Sequence, residues 1–229
     1  MSYKQFCPVA KAMEVIGERW TLLVVRELLM GARRFNEFQR GLPGISPTLL
    51  TKRLTDLEDK GLIIKKRIPA QKGYEYFPTS PCKALLPVLE QVGMWGMQWA
   101  RDQMLEEDFN PELLMLYLER SIQHEHLPGG LTVVRFNFID VQDYPNWWIV
   151  VDGESVEVCV KDPGKEVDVY FNCCVRLMCE LWMGEVSYKQ ALADGRMQLV
   201  GPKALTRNVS AWLATSVFAG MQPASEIIA

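Results

Sequence analysis

Residues Gly44–Arg67, GISPTLLTKRLTDLEDKGLIIKKR, decide the fold, because the run begins as a helix and ends as a basic strand. Ser46-Pro47 is a helix start: the serine can cap a free N–H, and the proline sits where no N–H is needed. Leu50, Leu54 and Leu57 recur at four- and three-residue spacing and form a buried stripe. Gly61, following Lys60, stops the helix. At about 100° per residue the face opposite the leucines carries Thr48, Lys52 and Thr55, flanked by Thr51. Small hydroxyls and a cation are groups that meet base edges and phosphates. LIIKKRIPAQKGYEYF then predicts a strand, a turn around Pro69 to Gly73, and a second strand, with Lys65, Lys66, Arg67 and Lys72 near the hairpin tip. The helix stops at Gly61 so that the chain can reverse into this hairpin, and the two together make a winged helix-turn-helix. Solvated lysines at an ordinary helix-strand junction are the plainer alternative.

Working outward, Pro8 to Ile16 predicts a helix with Val9, Ala12, Met13 and Ile16 at helical spacing. ERWTLLVVRELLM is apolar on most sides through Trp20, Leu22, Leu23, Val24, Val25, Leu28 and Leu29, the pattern of a central core helix ended by Gly31. RRFNEFQRGL supplies a third short helix with Phe35, Phe38 and Leu42 inward, ended by Pro43-Gly44. From Thr79 to Asp102 one long helix is expected, apolar at Leu85, Leu89, Val92, Trp95 and Trp99. Two tryptophans on one side of a terminal helix exceed what a small domain needs, which points to a dimer interface rather than packing within the chain.

The charge distribution favours the nucleic-acid reading. A net charge of -3 hides 16 Lys+Arg against 10 Asp+Glu in residues 1–103, and 9 against 18 in the remainder. A basic half joined to an acidic one suggests a polyanion-binding domain attached to something else. With 229 residues, 48% hydrophobic content and a mean hydropathy of -0.03, two domains are expected. No run of eighteen apolar residues occurs, and MSYKQFCPVAKAMEV lacks the pattern of a signal peptide, so the expected place is the cytoplasm, with no membrane partner. The six cysteines have no paired C-x-x-C spacing and are expected as reduced thiols.

The run CPVAKAMEVIGERWTLLVVRELLMGARRFNEFQRGLPGISPTLLTKRLTDLEDKGLI resembles the HxlR family of bacterial winged-helix transcription regulators. It carries the Cys-Pro opening, the I-G-x-x-W-x-x-L-V-V-R-E-L core helix, the R-F-x-E-F helix and the I-S-x-x-x-L-x-x-R-L-x-x-L-x-x-x-G-L-I run. The resemblance covers about residues 7–103. It implies a homodimer built on the first and last helices, with Val9, Met13, Leu89, Trp95 and Trp99 at the interface, binding pseudo-palindromic double-stranded DNA. It further implies DNA contacts from Ser46, Thr48, Thr51, Lys52 and Arg53 of the recognition helix, from Arg34 before it, and from Arg67 and Lys72 of the wing. The chain departs from the family at Tyr76-Phe77-Pro78-Thr79, where Y-x-L-T is usual, and at Cys82, where glycine is common. Cys7 matches a cysteine that some members use to sense electrophiles or oxidants, and a helix N-terminus lowers a thiol pKa. Its plainer reading is a small apolar residue beside Pro8.

After EEDFNPE the pattern changes. A helix PELLMLYLERSIQHEH precedes the strands LTVVRFNFI, WWIVVDG, SVEVCVK and EVDVYF, with DPG read as a hairpin turn between the last two. Val156, Val158 and Val160, like Val167, Val169 and Phe171, alternate with other residues and should share one apolar face. CVRLMCELWMG, SYKQALADG and PKALTRNVSAWLATSVF are the helices to cover it, with RMQLVG as a short strand. The segment resembles the sterol carrier protein type 2-like fold in W-x-I-V-V-D-G, in the L-x-x-G of Leu181 to Gly184 and in A-L-A-D-G-R-M-Q-L-V-G-P. That resemblance implies a pocket for an apolar ligand, with Phe136, Phe138, Trp148, Met178, Trp182 and Trp212 as candidate walls.

No nucleophile elbow or phosphate loop is present, and His124-Glu125-His126 lacks the i,i+4 spacing of a helical metal pair, so neither an enzyme nor a metal or other cofactor is expected. The expected architecture is a mainly α winged helix-turn-helix domain (residues 1–103), a linker (104–110) and an α+β domain (111–229) with an antiparallel or mixed sheet covered by helices. The expected function is a dimeric transcription regulator, a repressor, modulated by an apolar small molecule. Two alternatives stand beside it: a thiol-based sensor using Cys7, and a lipid carrier whose winged helix binds protein.

Overall fold

The computed structural model describes residues 2–221. The chain divides into two compact units, Met1–Trp95 and Gly96–Ala229. The first contains α1 (Pro8–Ile16), α2 (Thr21–Leu29), α3 (Phe35–Gly41), α4 (Pro47–Asp59), β1 (Ile63–Arg67), β2 (Tyr74–Pro78) and α5 (Ser80–Lys83). The division falls within the next helix, α6 (Leu86–Trp99). Val24, Val25 and Leu28 make α2 the centre of the core, and Phe38, Leu50, Leu54, Leu57 and Ile63 close around it. Burying each α4 leucine contributes about 1.5–3 kcal/mol. Ser46 starts α4 as read, its Oγ accepting a hydrogen bond from the Leu49 N–H at 3.3 Å. Gly61 has φ +71, a left-handed conformation that lets the chain turn from α4 into β1. The strands β1 and β2 pair antiparallel, from Ile63 opposite Pro78 to Arg67 opposite Tyr74.

The single helix expected from Thr79 to Asp102 is instead two, α5 and α6, with a turn at residues 84–85. Pro87 is the physical reason: it has no N–H for the Lys83 carbonyl and fits only in the first turn of a new helix.

The second unit contains α7 (Pro111–Ser121), β3 (Leu131–Phe138), β4 (Asn146–Asp152), β5 (Ser155–Cys159), β6 (Val169–Cys173), α8 (Val175–Trp182), α9 (Tyr188–Ala193), β7 (Gln198–Val200), α10 (Lys203–Thr206) and α11 (Val209–Trp212). The sheet order is β5-β4-β3-β6-β7, with β3 and β6 parallel and the other pairs antiparallel. One face is apolar and meets α7, α8 and α11 through Leu114, Leu118, Met178, Leu181 and Trp212.

Three expectations for this unit need correction. The DPG turn exists, with Asp162 Oδ1 accepting from the Gly164 N–H at 2.8 Å, but it does not join paired strands. β4 and β3 lie between β5 and β6, so residues 160–168 are a crossover. For the same reason Val167 packs on the face opposite Val169 and Phe171, and Val160 is exposed beyond the end of β5. The long final helix is two short ones, α10 and α11, broken at Arg207-Asn208.

Glu27 is fully buried in the first unit, where Arg26 Nε donates to its Oε1 at 2.9 Å and Arg26 Nη2 donates to the Gly41 carbonyl at 3.1 Å. A Cβ on Gly41 would meet Glu27 Oε2 at 2.0 Å. Gly41→Ala is expected to lower stability by about 1–3 kcal/mol, through overpacking against a carboxylate that cannot retreat to water. Urea unfolding of the full chain measures it, and an unchanged midpoint would contradict this packing.

Candidate nucleic-acid interface

α4 is held by its leucine stripe, and its other side is open. Ser46, Thr48, Thr51, Lys52 and Thr55 are all exposed. Thr51 Oγ1 donates to the Pro47 carbonyl at 2.9 Å, which leaves its oxygen lone pairs outward as acceptors. Ser46 spends one lone pair on the cap and keeps its hydroxyl proton for another partner. Side chains from the first two turns of α4 thus present two threonine hydroxyls, a serine hydroxyl and one ammonium on a rigid element.

The wing extends this basic surface. Arg67 ends β1 and is exposed, as is Lys72 in the turn. The turn is a shallow concavity lined by Arg67, Ile68, Pro69, Ala70, Gln71 and Lys72. Nearer the core, Lys65 Nζ lies 4.3 Å from the Tyr74 ring and Lys66 Nζ 5.0 Å from the Phe77 ring, so aromatic faces steady the stems of both lysines. Arg34 is exposed at the N-cap of α3, and its Nε donates to Glu75 Oε1 at 3.4 Å.

Arg53 is placed differently from its neighbours. It is 7% exposed, with Nε donating to the Arg19 carbonyl at 2.9 Å, Nη1 to Asp56 Oδ2 at 2.8 Å and Nη2 to Glu18 Oε2 at 3.2 Å. The guanidinium ties α4 to the loop before α2. The spacing carried the signal, since position 53 is three residues after Leu50 and four before Leu57, within the buried stripe.

The residues expected at a dimer interface separate in the same way. Val9, Met13, Trp95 and Trp99 are exposed, Trp95 by 61%, whereas Leu89 packs against the first unit's own core. Leu86, Val88 and Val92 add exposed apolar area to α6. Cys7 is the half-buried N-cap of α1.

Of the candidate ligand-pocket residues, Phe136, Phe138, Met178 and Trp212 are brought together in the second unit's core. Phe171, read in the sequence as part of the apolar sheet face but not as a pocket wall, joins them: it stacks on Phe136 at 4.7 Å and meets the Trp212 ring edge-on at 6.1 Å. Trp182 is at the margin, stacked on Tyr117 at 4.8 Å with its Nε1 donating to Ser121 Oγ at 2.8 Å. Trp148 is on the opposite face of the sheet, and Trp147 takes the place expected for it beside Phe136. The Trp147 Nε1 is buried without a hydrogen-bond partner among the described residues. Nothing in the dipeptide Trp147-Trp148 says which ring faces the helices; register alone decides it.

Comparison with known proteins matches the HxlR-like helix-turn-helix family to residues 15–104. The uncharacterized HTH-type transcriptional regulator YvaP of Bacillus subtilis strain 168 is 34% identical over 108 residues, covering 46% of this chain and all of YvaP. An uncharacterized HTH-type transcriptional regulator of Methanothermobacter thermautotrophicus is 35% identical over 98 residues, covering 42% of this chain and 75% of the relative. Among solved structures, the reduced form of the transcriptional regulator YodB from B. subtilis is 28% identical, covering 45% of this chain and 98% of YodB, with a TM-score of 0.36.

Two thiols of the second unit, those of Cys173 and Cys179, titrate late. Burial pushes the Cys173 and Cys179 thiols up from 9.0 to about 12, each helped by neighbouring charge, including that of Cys174. They stay protonated at neutral pH and are poor nucleophiles. Because the folded state holds these protons more tightly than the unfolded one, their stabilising contribution is full below pH about 9 and is lost as pH rises towards 12. Unfolding midpoints measured at pH 8 and 10.5 are expected to fall less in Cys173→Ala/Cys179→Ala than in the wild type. Equal falls would contradict the burial argument.

Proposed function

This chain belongs to the HxlR-like helix-turn-helix family, whose named relatives are transcription regulators and not enzymes, and from that premise we propose that it is a homodimeric repressor reading pseudo-palindromic operators. The observation that carries the reading is the outward face of α4, where Ser46, Thr48, Thr51 and Lys52 are free to meet DNA while the leucines anchor the helix. In this reading α4 enters the major groove, Lys52 and the wing residues Arg67 and Lys72 meet phosphates, and Arg34 adds a contact at the start of α3. Arg53 acts from within, fixing the angle of α4. The exposed apolar residues of α1 and α6, Val9, Met13, Trp95 and Trp99, are the surface that a second copy would cover, as a two-fold operator requires. Such a regulator works in the cytoplasm, and no helix among the described residues is long and apolar enough to cross a membrane.

The second unit is proposed as a sterol carrier protein type 2-like effector domain. Support comes from its mixed sheet, apolar on the side covered by α7, α8 and α11, and from the unpartnered Trp147 N–H within that core. An apolar effector regulates by binding the DNA-competent and incompetent conformations with different affinity. Thiol control is the second reading. It rests on Cys7, the cysteine that the family resemblance singles out; Cys173 and Cys179 are held protonated by burial and are poor nucleophiles.

Two measurements test the interface. In fluorescence anisotropy on a duplex operator, Lys52→Ala is expected to weaken binding by about tenfold and to reduce the slope of log affinity against log salt by about one. Unchanged affinity and slope would remove Lys52 from the interface; weak, salt-insensitive binding by the wild type would favour the carrier reading. In sedimentation velocity, Trp95→Glu is expected to convert a dimer into a monomer. A Trp95→Glu dimer would place the interface elsewhere.

A further inference from the structure

The face of the second unit's sheet that turns away from the helices is built from two unlike halves. In one, Val133, Trp148 and Val150 form a small buried cluster against Cys159 and Val167. The other is polar and is organised in transverse rows set by strand register. One row runs Trp148, Arg135, Tyr170, Val200 across β4, β3, β6 and β7; the next runs Asn146, Asn137, Asn172, Gln198. Four carboxamides thus stand beside an arginine that lies between two aromatic residues.

Arg135 is unusual in how it is held. Its guanidinium carbon is 5.6 Å from the Trp148 ring centroid and 6.0 Å from that of Tyr170. Nε and Nη2 both donate to Asn146 Oδ1, at 3.3 and 2.9 Å. Among the described residues no carboxylate lies within ion-pair distance, and Nη1 has no partner. The planar fork is therefore fixed by rings and an amide while its charge is unmatched, an arrangement preorganised to receive an oxyanion. On the adjacent row Asn137 Nδ2 donates to Asn172 Oδ1 at 2.9 Å, which leaves the Asn172 amide N–H groups free as further donors. In the same row as Arg135, Trp148 is only 6% exposed and its indole N–H has no acceptor among the described residues. Beside these donors Tyr170 is 37% exposed and Val200, at the sheet edge, 57% exposed.

We propose that this open half of the sheet binds a small organic carboxylate, its oxygens received by Arg135 Nη1 and the Asn172 amide and its apolar part laid on Tyr170 and Val200. The ligand carries one charge, because the excess of acidic residues in this half of the chain, 18 against 9, repels a polyanion. The site lies on the face opposite the helix-covered core and is independent of any apolar effector there.

Isothermal titration of the full-length protein tests it with benzoate, neutral benzamide and inorganic phosphate as probes. Benzoate is expected to bind saturably, with benzamide and phosphate each at least about tenfold weaker. Arg135→Gln is expected to lower benzoate affinity at least about tenfold. Val200→Asp, a change at an exposed edge position that leaves the core intact, is expected to lower it likewise by setting a carboxylate beside the ligand. Failure of the wild type to bind benzoate below about 10 mM would overturn the proposal. So would equal binding of benzamide or phosphate, or undiminished affinity in either folded variant.

Discussion

The outward side of α4 faces solvent because the inward side cannot. Leu50, Leu54 and Leu57 lie in the core with Val24, Leu28 and Phe38, and a rotation that freed Lys52 from solvent would expose three leucines at a cost of several kcal/mol. The hydroxyls and ammonium of the helix are thus aimed by apolar burial. Arg53 sharpens the aim, since its bonds to Glu18 and the Arg19 carbonyl, outside the helix, resist sliding of α4 along its axis. Glu27 and Gly41 do the same for the preceding helix, where a buried carboxylate occupies the space that a side chain on Gly41 would need. Recognition surfaces gain from such supports, because a side chain that is already placed loses little freedom on binding.

Residues that turned out as read in the sequence share a local cause. Ser46, Pro47 and Gly61 act within one turn of themselves, and the leucine stripe follows from helical period alone, so α4 and the wing were legible. Misplaced features depend on partners distant in the chain. The DPG turn forms locally, but whether β5 pairs with β6 depends on β3 and β4 coming between them. Trp147 and Trp148 exchange roles on a one-residue choice of register, and Val167 departs from Val169 because it belongs to the crossover and not the strand. Pro87 broke the expected long helix, a local signal overridden in the reading by the apolar spacing around it. Arg53 was assigned to DNA by resemblance although its position relative to Leu50 and Leu57 already placed it inside.

The two units differ in how chemistry is distributed. In the first, charge is outside and apolar residues are inside, with Arg53 and Glu27 as structural exceptions. The second has its aromatic core on one sheet face and an amide-and-arginine surface on the other, so its two faces differ in chemical character. Its Cys173 and Cys179 thiols, kept protonated by burial, belong to the packing.

The most direct test of the central claim, that α4 and the wing of two copies read a two-fold operator, is selection of bound duplexes from a random DNA pool by the full-length protein. The account predicts enrichment of an inverted repeat whose half-sites are spaced by about one helical turn, ~10 base pairs, or a multiple of it. A single unrepeated motif, or no enriched sequence at all, would contradict it.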